Sequence, residues 1–318
     1  MKSVRTLLLL ALAGGLPAYA ALEQNSPPTR STDEPALVWD LAPDLVSTGF
    51  RNFRTTDDRL KARAGAALPD LTGLSALRES GSSEFSAAGL KSILSKLSGP
   101  VTVFDLRQED HGFINGDAVS WYATNNWANV GKGLEEIVRE EKGRLESLAP
   151  GASVTLSADS AKKGLDAAGV QTKTEKVSSC TTEEQVVRAA GAAYVRIPVS
   201  DHARPTDEEV DRFVASVREL PAGGWVHFHC RAGKGRTTTF MALYDMLRNA
   251  QRVSLQSIVG RQSLLIGDYD LLSKTADAGP RAGVAADRAA FVRAFYEYAK
   301  ANPGGRPQIW TEWLKTQP

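Results

Sequence analysis

The chain is poor in the residues that hold soft metals or cross-link a fold: its 318 residues include only two cysteines and four histidines. None of these are grouped at zinc-ligand spacing, and no nucleotide-hydrolase Gly-rich Lys-Ser/Thr loop occurs, so no metal or organic cofactor is expected. Two free thiols are expected, with one regulatory Cys180–Cys230 disulfide as the alternative. Charge of one sign is missing too. Lys and Arg total 38 against 37 Asp and Glu, which gives no basic excess of the kind that binds nucleic acid. After residue 20 no apolar run is long enough to span a bilayer. Any attraction for anions must therefore be built locally.

The first twenty residues carry a targeting pattern. Lys2 and Arg5 precede a short apolar stretch at 7–16, and Ala18-Tyr19-Ala20 offers small residues for cleavage before Ala21. The pattern predicts an exported protein, periplasmic or secreted and most simply bacterial, with a retained signal anchor as the alternative. Cleavage leaves 36 basic against 37 acidic residues, and no membrane insertion is expected of what remains. Residues 21–36 are polar and proline-bearing, the composition of a disordered segment.

From Trp39 the patterning is globular. Leu90, Ile93, Leu94 and Leu97 predict a helix over 86–97, and the apolar run 101–106 a buried strand ending in the polar cluster 107–112. Further helices are predicted at 134–148, 181–190 (Thr182 and Gln185 as a capping box), 237–249 and 288–300. Another helix opens at a Thr206–Glu209 capping box and shows one apolar face, Val210, Phe213, Val214 and Val217. Strands are predicted at 194–199 and 225–228. Residues 154–177, with Lys162-Lys163-Gly164 and then alternating Val170, Thr172, Thr174 and Lys176, suit a small β excursion. Strands alternating with helices imply an α/β architecture with a central, mostly parallel sheet flanked by helices.

The stretch with the sharpest chemistry is His229-Cys230-Arg231-Ala232-Gly233-Lys234-Gly235-Arg236-Thr237. A strand leads into it and a helix leads out. Such a turn aims successive N–H groups at one point, with the helix N-terminus behind them, and makes an anion cradle. A cysteine placed there ionises well below its free value. Arg236 can fork two donors onto phosphate oxygens, and the combination points to phosphoryl transfer through a cysteinyl-phosphate. Thr237 can donate to the sulfur, and His229 can orient the loop. Arg231, Ala232, Gly233, Lys234 and Gly235 line the cradle; the cations Arg231 and Lys234 suit a substrate with several phosphates, unless Glu109, Asp110 or other carboxylates pair with them.

Expelling an alkoxide needs a proton donor. Asp201 is the candidate, on the loop after the 194–199 strand, because loops at the carboxyl ends of parallel strands face one crevice. His202 beside it can reach substrate phosphates or pack.

With these residues in hand, the chain resembles the His-Cys-x5-Arg-Thr cysteine phosphatases, and most closely the bacterial protein-tyrosine-phosphatase-like inositol polyphosphatases, the cysteine phytases. Asn52-Phe53-Arg54-Thr55, Asp105-Leu106-Arg107-Gln108-Glu109, Val119-Ser120-Trp121-Tyr122, Trp127-Ala128-Asn129, Trp225 to Cys230, Arg261-Gln262 and Trp310 to Lys315 echo that family in order. The resemblance implies one phosphatase domain over 37–318, including a small partial β-barrel that takes in roughly 151–178. It also implies metal-independent, stepwise hydrolysis of myo-inositol hexakisphosphate. Cys230 then matches the nucleophile, Arg236 the phosphate-binding arginine, Asp201 the general acid and His202 the histidine after it. Arg54 falls where the family has an arginine near the pocket mouth. Arg281 and Arg288 fall on substrate-gripping lysines, while Ala285 replaces a tyrosine, so an aromatic hydroxyl is lost. The alternative reading is a secreted protein-tyrosine or dual-specificity phosphatase. A non-catalytic phosphoinositide-binding module would lack the cysteine or the acid, and both are present. Oligomeric state is left open by the sequence.

Overall fold

The computed structural model describes residues 28–41, 49–158, 171–267, 269–273 and 281–317. The targeting pattern, Lys162-Lys163-Gly164 and Val170 lie outside them. In chain order the strands are β1 (Ala36–Trp39), β2 (Arg54–Thr55), β3 (Glu79–Ser83), β4 (Val101–Arg107), β5 (His111–Ile114), β6 (Asp117–Tyr122), β7 (Ser153–Ala158), β8 (Thr172–Lys176), β9 (Cys180–Thr181), β10 (Ala193–Val199) and β11 (Trp225–Cys230). The helices are α1 (Ala87–Leu94), α2 (Leu134–Glu146), α3 (Glu183–Ala189), α4 (Asp207–Arg218), α5 (Gly235–Asn249), α6 (Leu255–Ile266), α7 (Val284–Ala301) and α8 (Trp310–Leu314).

Five strands form the sheet that carries the cradle, in the order β10-β4-β11-β3-β2. The first four run parallel and β2 is antiparallel at the edge. Side chains of β4 and β11 alternate between two cores, as the two-residue period of a strand requires. Phe104, Leu106, Val226 and Phe228 pack with Phe213 and Val214 of α4, Phe240 of α5 and Trp310 of α8. Val101, Val103 and Trp225 face the other way, onto Leu90 and Ile93 of α1 and Val187 of α3. The expected mostly parallel sheet between helices is present.

A second, six-stranded sheet has the order β8-β7-β1-β6-β5-β9. The β excursion is thus one hairpin, β7 and β8, of a larger unit that reaches back to β1 and forward to β9. Trp39, Ile114, Val119, Leu156 and Val177 give it a core of its own.

Three local expectations change. The segment expected to be disordered is docked from Ser31 onward, where it is described. Ser31 N donates to Trp127 O at 3.1 Å, Thr124 donates to the Asp33 carboxylate, and β1 begins at Ala36. Thr182 and Gln185 do form a capping box, but Thr206 forms half of one. Its hydroxyl accepts from Glu209 N at 3.3 Å, while the Glu209 carboxylate turns to Arg212, 3.4 Å away. The polar cluster 107–112 does not simply follow the strand: β4 runs on through Arg107, β5 opens at His111, and Arg107 to His111 are buried in a charge network.

Candidate active site

Strand β11 ends at Cys230 and α5 starts at Gly235, with residues 231–234 as the turn between them. Three successive carbonyls of that turn are tied outward. Arg231 O accepts from Glu84 N (3.2 Å), Ala232 O from Asn52 Nδ2 (2.8 Å) and Gly233 O from Arg54 Nη1 (2.9 Å). In a planar trans peptide the following N–H points the opposite way, so the amides of Ala232, Gly233 and Lys234 turn to the inner side of the loop. Gly233 is needed for this path: its φ is +70°, and a Cβ there would stand 2.3 Å from Ser83 N. The Cys230 sulfur is buried at the strand end, and Thr237 donates its hydroxyl to it at 3.2 Å.

Arg236 is buried beside it. Its Nη1 and Nη2 donate to Glu109 Oε2 (2.7 Å) and Oε1 (2.9 Å), a two-pronged grip that fixes the guanidinium plane. Nη1 also reaches Val199 O at 3.0 Å. Burial works against the Arg236 charge, but the Asp201 and Glu109 carboxylates outweigh it and hold its pKa further above the usual arginine value. Asp201 arrives on the loop after β10, with Oδ1 3.3 Å from Arg236 Nη2. Asn126 Nδ2 donates to its Oδ2 at 2.9 Å, and Trp127 Nε1 to its backbone carbonyl at 2.9 Å.

Behind the cradle lies a buried network of ions. Arg107 bridges Asp40 (2.8 Å), Glu84 (2.6 Å) and Glu109 (3.0 Å). Burial opposes ionisation of Asp40 and Glu109, yet Arg107 with Arg231 draws Asp40 down to about 2, and Arg236 with Arg107 holds Glu109 well below the carboxylate range. Glu183 stands between two imidazoles, 2.7 Å from His229 Nε2 and 3.0 Å from His111 Nε2. Burial disfavours the His229 charge, but Glu183, then Glu84 and Asp105, more than offset it, and its pKa is pushed up to about 9. Glu84, Glu183 and His229, and likewise Asp105, His111 and Glu183, come close enough to surround a metal ion. Burial disfavours the charged form of His111 as of His229, and Asp105 and then Glu141 more than offset it.

Comparison with known proteins fits this geometry. Residues 104–248 match the family model for PTP-like phytases, described by inositol hexakisphosphate. A PTP-like phytase from Bdellovibrio bacteriovorus shares 41% identity and a TM-score of 0.74, covering 92% of this chain and 98% of its own. The chain belongs to the PTP-like phytase family. That is a family of phosphoric monoester hydrolases with the α/β cysteine-phosphatase fold. The PTP-like myo-inositol phosphatase from Mitsuokella multacida, solved with myo-inositol-(1,3,4,5)-tetrakisphosphate, is similar at 34% identity and a TM-score of 0.79 over 93% of this chain and 51% of that one. Effector protein hopD2 of Pseudomonas syringae pv. tomato is 34% identical over 90% of this chain, which spans 61% of the effector's length.

Within this phytase-family site the structure sorts the expected residues. Cys230, Arg236, Asp201 and Thr237 come together as the spacing suggested. His229 points away from the cradle to Glu183 and packs on Phe85, ring centroids 4.8 Å apart. Arg54 is not at the pocket mouth. It is buried, with donors spent on Gly233 O, Asn52 O and Thr238 Oγ1, so it braces the turn from inside. Burial pushes Arg54 down to about 10, while the charges of Cys230 and Glu79 pull the other way. Arg231 is tied to Asp40 at 2.8 Å and lies over the Tyr122 ring, so its charge belongs to the network, and the exposed cation of the loop is Lys234. Arg288 is buried and donates to His202 O at 3.1 Å, which makes it a support of the acid loop. His202 holds a left-handed backbone, φ +68°, with its ring 39% exposed. Arg281 is half-buried, and no described contact joins it to the cradle.

Several residues escaped the sequence reading. Glu109 was read as part of a family-like segment and as a partner for the loop cations but not as the partner of Arg236, and Asp40, Asn126 and Glu183 carried no motif of their own. Tyr269 brings an aromatic hydroxyl next to the loop: a Cβ on Gly235 would lie 2.8 Å from it, and Arg288 stands over its ring.

Proposed function

We propose that the chain is an exported phosphatase that removes phosphates stepwise from myo-inositol hexakisphosphate and lower inositol polyphosphates through a cysteinyl-phosphate. The observation that carries this is the convergence of the Cys230 sulfur, three inward-turned amides and Arg236, with the Asp201 carboxylate 3.3 Å from that arginine. Cys230 attacks phosphorus, the S–P bond forms and the P–O bond to inositol breaks. Asp201 gives its proton to the departing oxygen. In the second half Asp201 takes a proton from water, which attacks phosphorus, and Thr237 donates to the sulfur as it leaves. Arg236 and the amides bear the charge on the equatorial oxygens throughout, and Glu109 keeps the guanidinium in that plane.

The inositol substrate is supported by the family match and by the tetrakisphosphate held by the Mitsuokella relative. Lys234 on the loop is a cation available to a second phosphate. The likeness to an effector protein supports export, and with it a second reading, a protein phosphatase acting outside the cell. Phosphate release from inositol hexakisphosphate and from a phosphotyrosine peptide, measured side by side, separates the two. Turnover of the peptide alone would discard the inositol assignment.

A further inference from the structure

Two neighbouring residues of one turn grip Asp201 from outside its own loop. Trp127 Nε1 takes the backbone carbonyl, and Asn126 Nδ2 takes one carboxylate oxygen, Oδ2, at 2.9 Å. The other oxygen, Oδ1, stands 3.3 Å from Arg236 Nη2, on the side of the cradle, and accepts from His202 N at 3.0 Å. We infer that Asn126 is a positioning residue for the proton donor, its amide setting the rotation of the Asp201 carboxyl against the cradle. This rests on Asp201 being the general acid, as proposed above.

The two oxygens are not equivalent. Oδ1 already meets two donors, His202 N and Arg236 Nη2, so the Asn126 amide on Oδ2 is what sets the rotation of the carboxyl about its Cβ–Cγ bond. Oδ1 is also the oxygen nearest the arginine that grips the phosphoryl group. During the first step the Asp201 proton passes to the inositol oxygen as its bond to phosphorus breaks and the S–P bond forms, leaving Asp201 ionised.

Asn126 itself is a poor choice for stability alone. It is 4% exposed, its φ is +59°, and its Oδ1 is buried without a hydrogen-bond partner. An orphaned buried acceptor on a left-handed backbone is retained where the other end of the group is needed. The turn is anchored from behind, since Thr124 donates to the Asp33 carboxylate and Ser31 N to Trp127 O. Asn is also the suitable donor. A lysine there would add a second cation beside Arg236, whereas a neutral amide orients the carboxyl without adding charge. The charged groups facing Asp201 are Arg236 of α5 with its partner Glu109, and His202 of the same loop at 3.9 Å. Arg288 of α7 reaches the loop through His202 O, and the Thr124 to Trp127 turn adds no charge.

The test exploits leaving groups. An alkyl ester such as an inositol phosphate needs the proton, and p-nitrophenyl phosphate does not. Asn126→Ala should lower kcat on the alkyl ester about ten- to a hundredfold, within what a general acid supplies. KM should hold, and the aryl ester should lose less than about threefold. Asn126→Asp keeps the shape but sets a second carboxylate against Oδ2. The alkaline limb of its kcat profile on the alkyl ester should therefore rise by about one pH unit. Equal losses on both esters, or no loss on the alkyl ester, overturn the inference. If Asn126→Ala fails to fold, an unmoved alkaline limb in Asn126→Asp overturns it alone. Asp201→Asn run in parallel should show the same leaving-group selectivity, and its absence there would mean the acid assignment has failed instead.

Discussion

Gly233 shows how little freedom single positions have around the cradle. Its φ of +70° and the Ser83 backbone 2.3 Å from any Cβ mean that Gly233→Ala must move the turn off β3. We expect kcat to fall at least about tenfold, with stability lost on the order of 1–3 kcal/mol, read by steady-state kinetics and urea unfolding. Glu109→Gln leaves Arg236 and Arg107 with a neutral partner in a fully buried place. Breaking such a pair from one side costs about 3–5 kcal/mol, and a freed guanidinium plane should lower kcat more than it raises KM. What the sequence revealed at this scale follows from chemistry. Cys230 and Arg236 were legible because a fixed five-residue loop fixes their relation, and Asp201 because strand ends converge. The roles of Arg54, Arg231 and Arg288 were not legible. A charged letter tells that a cation exists, not which way its side chain turns, and each of these turns inward to a carbonyl or a carboxylate.

Elements are joined across the sheet by the same buried ions. Glu183 at the start of α3 ties His229 of β11 to His111 of β5, so the second sheet and the cradle share one carboxylate. Burial alone would lower the His229 pKa, but Glu183 and its neighbours carry it from an ordinary 6.5 to about 9. A group raised on folding contributes stability that is fully present below its unfolded value and is lost as pH climbs through the folded one. The free energy of unfolding should thus decline between pH 6.5 and 9 by an amount on the order of 3 kcal/mol. Glu183→Gln should flatten that decline in urea titrations at a series of pH values, and an unchanged slope would detach His229 from it. Helices α1 to α5, most of α7 and the strands β4, β10 and β11 were readable from period and caps, whereas α6 was not predicted. Strand β3, Glu-Ser-Gly-Ser-Ser, was not, although all five residues are buried. Small residues there serve close packing, since a Cβ on Gly81 would meet Met241 Sδ at 2.7 Å, while Ser80 and Ser82 bond the His227 ring. No hydrophobic period signals a strand built for those purposes.

Across the whole molecule charge is nearly balanced, and many of the cations near the site are already committed inside. Lys234 is the loop cation left exposed, so a substrate with many phosphates should feel it and a single phosphate should not. Lys234→Glu should reduce kcat/KM for inositol hexakisphosphate by about tenfold or more, and for p-nitrophenyl phosphate by less than about threefold, with the difference shrinking as salt rises. The most direct test of the account is phosphate release from inositol hexakisphosphate by the native protein and by Cys230→Ser, each with and without a chelator. The cysteinyl-phosphate route predicts native turnover that the chelator leaves untouched and none from the serine variant. Turnover that survives in Cys230→Ser, or that disappears with the chelator, would contradict it.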